Sequence, residues 1–254
     1  MSADSELDHV ARLCERAQRI LFVTGAGISA DSGLPTYRGI GGLYEDAHTE
    51  EGLPIEVALS GRMMAERPDI AWKYLSQIEA NCRGAGPNRS HQAIARLERE
   101  KQRGMVFTQN VDGLHRAAGS TEVLEIHGTL HRLRCTDCQS SRTVEDYHGL
   151  ALPPACPRCG GRLRPDVVLF GEALPQAGLR QLEGALAEGF DLVFTVGTTS
   201  VFPYVAAPVW WASRMGWPTV EINPGESEVS GIVDVRLRMA AAEAFAAIGL
   251  RLGW

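Results

Sequence analysis

Short apolar runs alternate along the chain with longer segments in which apolar residues recur every three or four positions. The short runs cover residues 20–24 (ILFVT), 104–108 (GMVFT), 123–126 (VLEI), 191–196 (DLVFTV) and 218–223 (PTVEIN). Their near-continuous hydrophobicity is that of strands buried on both faces, as in a parallel sheet. Helical periodicity spans residues 7–17, 91–102, 179–188 and 205–215. The last of these carries Pro208, which a helix tolerates only in its first turn. This alternation predicts an α/β protein with a Rossmann-like, doubly wound parallel sheet. Most of the runs are followed at once by Gly, Asn or His, at the edge where such sheets hold ligands.

Two stretches break the alternation. Residues 37–89 are polar and helix-like with no strand of their own, and residues 131–165 hold cysteines and many turn residues. Both leave and re-enter the sheet, which predicts a smaller domain made of insertions. The large domain is then expected at 1–36, 91–127 and 173–254, and the small one, a helical module plus a zinc ribbon, at 37–90 and 128–172. With 254 residues, 44% of them hydrophobic, such a chain buries roughly 75% of its unfolded surface. The net charge of −6 gives no electrostatic footprint for nucleic acid, so no direct binding is expected. The opening MSADSELDHV is neither basic nor apolar, and no apolar run nears the ~20 residues of a membrane span. A cytoplasmic protein with no membrane partner is the expectation.

Cysteine usage adds a metal. Cys14 and Cys82 stand alone and read as small buried hydrophobes. Cys135, Cys138, Cys156 and Cys159 form CTDC and CPRC, 17 residues apart. Paired C-x-x-C in a chain without an export signal reads as a zinc site rather than disulfides. Four thiolates leave no open coordination position, so the zinc is structural. Around them Arg132, Arg134, Arg142, Arg158, Arg162 and Arg164 outnumber Asp137, Glu145 and Asp146, an excess read as a solvated surface.

The first strand runs into GAGISADSGLPTYRG, residues 25–39. Gly25 and Gly27 permit a tight turn, and Ala30 stands where a third glycine often sits. The amides of Ala26 to Ile28 would face a pyrophosphate at a helix N-terminus. A dehydrogenase would continue with a long helix, a second strand and an acid for the ribose. Here Gly33 and Pro35 cut the helix short, Gly39, Gly41 and Gly42 continue a loop, and Asp46 has no strand before it. The pattern suits a dinucleotide without hydride transfer. Two further clusters fall at strand ends on the same sheet edge: TQNVDGLH, with Gln109, Asn110 and Asp112, and EIHG, with His127.

Together these motifs resemble the sirtuin family of NAD-dependent protein lysine deacylases, of the bacterial type with a four-cysteine zinc ribbon. The likeness runs over residues 17–242 and takes in GAGISADSGLPTYR, TQNVDGLH, EIHG, the paired CxxC, RPDVVLFGEALP, GTTSVFP and EIN, in the family's order. It implies that NAD is consumed as a co-substrate, with nicotinamide and O-acyl-ADP-ribose released, and that acylated-lysine proteins or peptides are the partners. Gly25, Ala26, Gly27, Ile28, Asp31, Thr36, Tyr37 and Arg38 would then form the cofactor loop, Tyr37 shielding the reacting ribose. Asn110 and Asp112 would bind the nicotinamide carboxamide, Asn110 with a catalytic share, and Gln109 the ribose beside it. Gly197, Thr198, Thr199, Ser200, Asn223 and Ala241 would hold the adenosine half. The acyl oxygen would displace nicotinamide, and His127, as general base, would activate the ribose hydroxyl that attacks next. Val168, Phe170, Gly171, Glu172 and Leu174 would pair with the substrate as an added strand.

The helix AWKYLSQIEA, residues 71–80, corresponds to the one where desuccinylating sirtuins carry Tyr-x-x-Arg. One register puts Leu75 and Ile78 at those positions and the other Tyr74 and Gln77; neither supplies the arginine. Neutral acyl groups are therefore expected to be favoured over succinyl. Two rivals stand beside this reading. An ADP-ribosyltransferase on the same scaffold would modify its acceptor, and a non-catalytic zinc-ribbon binding module would consume no NAD.

Overall fold

The computed structural model describes residues 3–36 and 49–254. In chain order it contains α1 (Ala3–Arg16), β1 (Arg19–Thr24), a 3-10 helix (Ala26–Ser32), α2 (Ile55–Ala58), α3 (Gly61–Glu66) and α4 (Pro68–Cys82). There follow α5 (Arg89–Glu100), β2 (Arg103–Thr108), α6 (Leu114–Ala117), β3 (Val123–Glu125), β4 (Gly128–Cys135), β5 (Ser141–Thr143) and β6 (Leu163–Val167). The chain closes with α7 (Gln176–Glu188), β7 (Leu192–Val196), α8 (Pro203–Met215), β8 (Thr219–Ile222), β9 (Val235–Leu237) and α9 (Ala241–Arg251).

Six strands form one sheet in the order β3-β2-β1-β7-β8-β9, every pair parallel. The order reverses between β1 and β7, which is the Rossmann arrangement and makes that gap the ligand crevice. The continuous apolar runs have a simple cause, burial on both faces. Ile20 and Phe22 point into the core made with α1, α5 and α9, and Leu21 and Val23 into the core made with α7 and α8. Phe22 stacks on Phe194 of β7 at 5.3 Å.

Two elements differ from the sequence expectation at the C-terminal end. Residues 235–251, for which the sequence pattern predicts no element, form strand β9, with Arg236 at its middle, and helix α9. α9 has no capping side chain of its own; Asp31 of the 3-10 helix accepts the Ala242 amide at 3.1 Å. α8 also starts earlier than expected, with Pro203 in its first turn, so Pro208 lies inside the helix. Pro208 cannot donate to the Tyr204 carbonyl, and its ring is buried.

The second unit has its own core. α2, α3 and α4 pack on the antiparallel sheet β5-β4-β6 around buried Trp72. The Trp72 indole donates to the Leu163 carbonyl (3.2 Å) and meets Tyr147 edge-on at 5.4 Å, and the Tyr147 hydroxyl donates to the Leu130 carbonyl (2.8 Å). The arginine excess of the ribbon is largely consumed within the fold. Asp166 takes Arg132 and Arg134, Glu172 takes the buried Arg164, and Arg162 donates to the Ala65 carbonyl. Among the described residues no helix is long and apolar enough to cross a membrane.

Cys135, Cys138, Cys156 and Cys159 bring their sulfurs within 4.8 Å of one another. The Cys135–Cys159 and Cys138–Cys156 separations are 3.5 and 3.8 Å. Four thiolates at ~2.3 Å from a tetrahedral zinc stand about 3.8 Å apart, so the donor set fits a closed zinc shell. Cys14 is fully buried and its thiol pushed up to about 12 by burial, an inert core residue. Metal analysis of protein purified without chelator is expected to give one zinc per chain. Cys135→Ser or Cys156→Ser should lower the melting temperature and release the metal; a zinc-free protein of unchanged melting temperature would contradict the site.

Candidate functional site

At the β1/β7 gap two loops cross backbone on backbone. Gly25 donates to the Val196 carbonyl (3.1 Å), Gly27 to the Gly197 carbonyl (2.8 Å) and Ile28 to the Gly25 carbonyl (3.1 Å). A Cβ on Gly27 would sit 2.7 Å from the Gly197 Cα, and one on Gly197, at φ +58°, 2.4 Å from the Ile28 nitrogen. The glycines are therefore required by this crossing. The Gly27 and Ile28 amides, expected to face a pyrophosphate, donate within the protein in this structure. The 3-10 helix ends at Gly33, φ +81°, whose amide turns back to Ala30 and Ser29, as the early glycine and proline suggested. Asp31 caps α9, and Ala241 is buried at the start of that helix. Thr36 is half-buried at the edge of the described segment. Tyr37 and Arg38, with Gly39, Gly41, Gly42 and Asp46, lie outside the described residues.

The loop after β2 is locked onto this crossing. Asn110 donates its side-chain amide to the Gly25 carbonyl (3.1 Å) and to Ser29 Oγ (3.2 Å). Ser29, which the sequence reading did not single out, donates to Asp112 at 2.7 Å, and the Leu114 amide takes the other Asp112 oxygen. Gln109 donates to Thr198 Oγ1 (2.9 Å), and Asn223 to the Thr198 carbonyl (3.0 Å). Thr199 is exposed. Ser200 is buried at φ +52° with its hydroxyl unpartnered among the described residues. A non-glycine residue in that region is uncommon outside functional sites. Carboxamides, hydroxyls and an orphan buried Oγ gathered at the β1/β7 gap suit a polar dinucleotide.

His127 stands where the chain passes from β3 to β4. Its Nδ1 faces the Gln109 carbonyl at 3.0 Å and its Nε2 faces the Tyr204 hydroxyl at 2.6 Å. A carbonyl only accepts, so Nδ1 carries the proton and Nε2 accepts from Tyr204. Burial pushes the imidazole below its ordinary pKa, opposed by the Gln109 carbonyl, and pushes the Tyr204 phenol up to about 12. Tyr204 escaped the sequence reading, which stopped at Pro203. A helix started at that proline places Tyr204 in the first turn beside the strand ends.

His127 closes one end of a pocket whose walls are apolar: Leu59, Leu75, Ile78, Val111, Leu130 and residues 167–170. Leu75 and Ile78 of α4 are the pair that faces it. Tyr74 instead hydrogen-bonds Glu51, Gln77 is exposed, and Lys73 is held by Glu50 (2.7 Å) and Glu51 (2.6 Å). The residues of the expected substrate-pairing edge also have partners within the fold. Val168 donates its amide to the His127 carbonyl (2.9 Å), and Phe170 exchanges backbone bonds with Leu59 and Gly61 (3.0 Å each). Glu172 braces Arg164 (2.6 and 2.9 Å) and the Leu169 amide (2.9 Å). Gly171 is exposed at φ +78°, and Leu174 packs on the α7/α8 core. Val168 and Phe170 reach the pocket as lining residues.

Beneath the floor, His115 pairs with Thr24 Oγ1 (2.9 Å) and meets His91 edge-on at 4.9 Å. Burial pushes His91 down to about 4 and His115 to about 3, the neighbouring His91 adding to the latter.

A Rossmann-type sheet with a four-thiolate ribbon and an apolar pocket ending on an imidazole sets the class, an α/β enzyme of nucleotide chemistry. Residues 25–203 match the model of the Sir2 family. Over 241 residues, 93% of each chain, the sequence is 50% identical to NAD-dependent protein deacylase 2 of Pseudomonas aeruginosa. It is 39% identical to an NAD-dependent protein deacylase of Thermococcus kodakarensis, covering 93% of this chain and 92% of that one. A solved Sir2 homologue–NAD complex superposes with a TM-score of 0.86 at 33% identity, covering 96% and 93% of the two chains. A Sir2–p53 peptide–NAD+ structure gives 0.83 at 28%, covering 96% and 98%. The chain belongs to the Sir2 family.

The buried histidine pair is expected to make the fold acid-sensitive. Below pH ~6.5 the unfolded chain takes up protons that the folded chain refuses, so stability is full above that value and falls as pH drops toward 4. Urea melts at stepped pH should show this loss, and His115→Asn should lose less over the same interval. An identical pH slope in the variant would contradict the assignment.

Proposed function

We propose that this chain, an NAD-dependent protein deacylase of the Sir2 family, removes neutral acyl groups from lysine in preference to succinyl or malonyl groups. The observation that carries the preference is the wall of the pocket: Leu75 and Ile78 line it, and among the described residues its only ionisable lining group is His127. A carboxylate brought there would lose water without gaining a paired cation. Lys73, the nearest cation in sequence, is engaged by Glu50 and Glu51.

The site residues take the following roles in this reading. Bound NAD supplies the departing nicotinamide and the ribose that takes up the acyl group. Asn110 and Asp112, registered by Ser29, position the carboxamide, and Gln109 the ribose beside it. Gly197, Thr198 and Asn223, with Thr199, Ser200 and Ala241, hold the adenosine half, and Thr36, Tyr37 and Arg38 cover the reacting face. His127 holds its proton on Nδ1 and keeps Nε2 as the basic atom. The acyl-lysine of a protein or peptide enters between the large domain (1–36, 91–127, 173–254) and the small one (37–90, 128–172). Thiols kept free for metal fit a reducing compartment, the cytoplasm.

His127→Ala should retain NAD binding and lose at least ~10²-fold in deacylation, the range for removing a general base; near-normal turnover would remove His127 from the mechanism. On one peptide carrying acetyl-, butyryl-, myristoyl- or succinyl-lysine, kcat/KM for succinyl should trail acetyl by roughly 30- to 1,000-fold, on the order of 2–4 kcal/mol. Leu75→Tyr with Ile78→Arg should narrow that gap, since a bidentate arginine pairs the carboxylate. Succinyl equal to or better than acetyl in the unmodified protein would overturn the preference.

A further inference from the structure

Nε2 of His127 has one lone pair, and Tyr204 already donates its hydroxyl to it at 2.6 Å. The other nitrogen is committed to the Gln109 carbonyl. A ribose hydroxyl cannot pass its proton directly to Nε2 while the phenol holds that position, and the phenol is held firmly. Tyr204 sits in the first turn of α8 behind Pro203. Its ring stacks on Phe202 (5.6 Å, 16°), stands edge-on to His127 (5.9 Å, 75°) and packs against the α7/α8 core. Its oxygen remains able to accept, because a hydroxyl has two lone pairs and among the described residues Tyr204 uses only its donor.

We propose that the base of the reaction is the His127–Tyr204 pair, with Tyr204 as the catalytic residue that touches the co-substrate. Tyr204 Oη takes the proton of the ribose hydroxyl as it passes its own proton to His127 Nε2. One O–H bond breaks on the ribose and one forms on Tyr204; the original phenol O–H breaks and an N–H forms on the imidazole. The tyrosine ends neutral, the histidine ends as imidazolium, and the ribose oxygen keeps the electron pair with which it attacks. A phenol pushed up to about 12 by its burial could not act as a free phenolate at neutral pH, whereas a relay never requires it to. This inference rests on the reading of His127 as the base.

Tyr204→Phe keeps the ring and its stacking and removes only the hydroxyl. It should preserve NAD affinity and nicotinamide exchange into NAD, which precede the base-dependent step, and slow deacylation by ~10²-fold or more. In the NAD-free protein, ¹⁵N NMR of the imidazole should show protonated Nδ1 and hydrogen-bonded Nε2, with only the Nε2 signal moving in the variant. His127→Ala serves as reference. Near-normal turnover in His127→Ala would sink the base reading itself. An inactive His127→Ala beside a Tyr204→Phe that deacylates as fast as the parent, or faster, overturns the relay alone. Exchange and deacylation falling together make Tyr204 structural and also overturn it. Should Tyr204→Phe fail to fold, the proton inventory of the parent enzyme under conditions where deacylation limits decides: a curved dependence on deuterium fraction supports two protons in flight, and a linear one contradicts it.

Discussion

Gly27 donates its amide to the Gly197 carbonyl across 2.8 Å, and neither residue has room for a side chain. That contact sits where the strand order reverses, and the rest of the site is assembled on it. Asn110 reaches the Gly25 carbonyl and Ser29, Ser29 reaches Asp112, and Gln109 and Asn223 both reach Thr198. One hydrogen bond is worth only about 0.5–1.5 kcal/mol net, but a methyl group at either glycine would push apart two loops that carry every one of these partners. Overpacking of this kind costs roughly 1–3 kcal/mol in a rigid core. The crossing therefore fixes geometry more than it adds stability.

The His127 imidazole belongs to both units. β3 ends at Glu125 in the large sheet, and β4 begins at Gly128 in the small one, so the two-residue passage between them carries His127. Gly128, at φ +79°, lies so close to the Asp166 carbonyl that no side chain would fit. The four-cysteine ribbon lies at the ends of β4 and β6, which hold the passage on one side, while Gln109 holds the ring on the other. The pocket wall is likewise composite, with α4 of the small unit facing residues 167–170 of the strand that leaves it.

The large sheet was legible because burial on both faces leaves an unbroken apolar run, and the metal site because chelation fixes the spacing of cysteines. Glycines at the β1 and β7 ends signalled a crevice, although their immediate use is loop on loop. What could not be read depends on partners distant in sequence. α9 starts where Asp31, from the far end of the chain, caps it. Glu172 pairs with the buried Arg164, a partnership that no spacing in the sequence announces. Val168 and Phe170 share backbone bonds with His127, Leu59 and Gly61, partners far away in sequence. Tyr204 follows directly after a recognised motif, yet only the fold brings its hydroxyl to His127. β9 is three residues with an arginine in the middle, too short to show a period.

NAD-dependent deacylation is defined by where the pieces of NAD and the acyl group end up after one turnover. Acetyl-lysine peptide and NAD incubated with the protein, then resolved by mass spectrometry, should give nicotinamide, unmodified peptide and O-acetyl-ADP-ribose in equal amounts. A peptide that keeps its acetyl group and gains ADP-ribose, or NAD recovered intact beside free acetate, would contradict it.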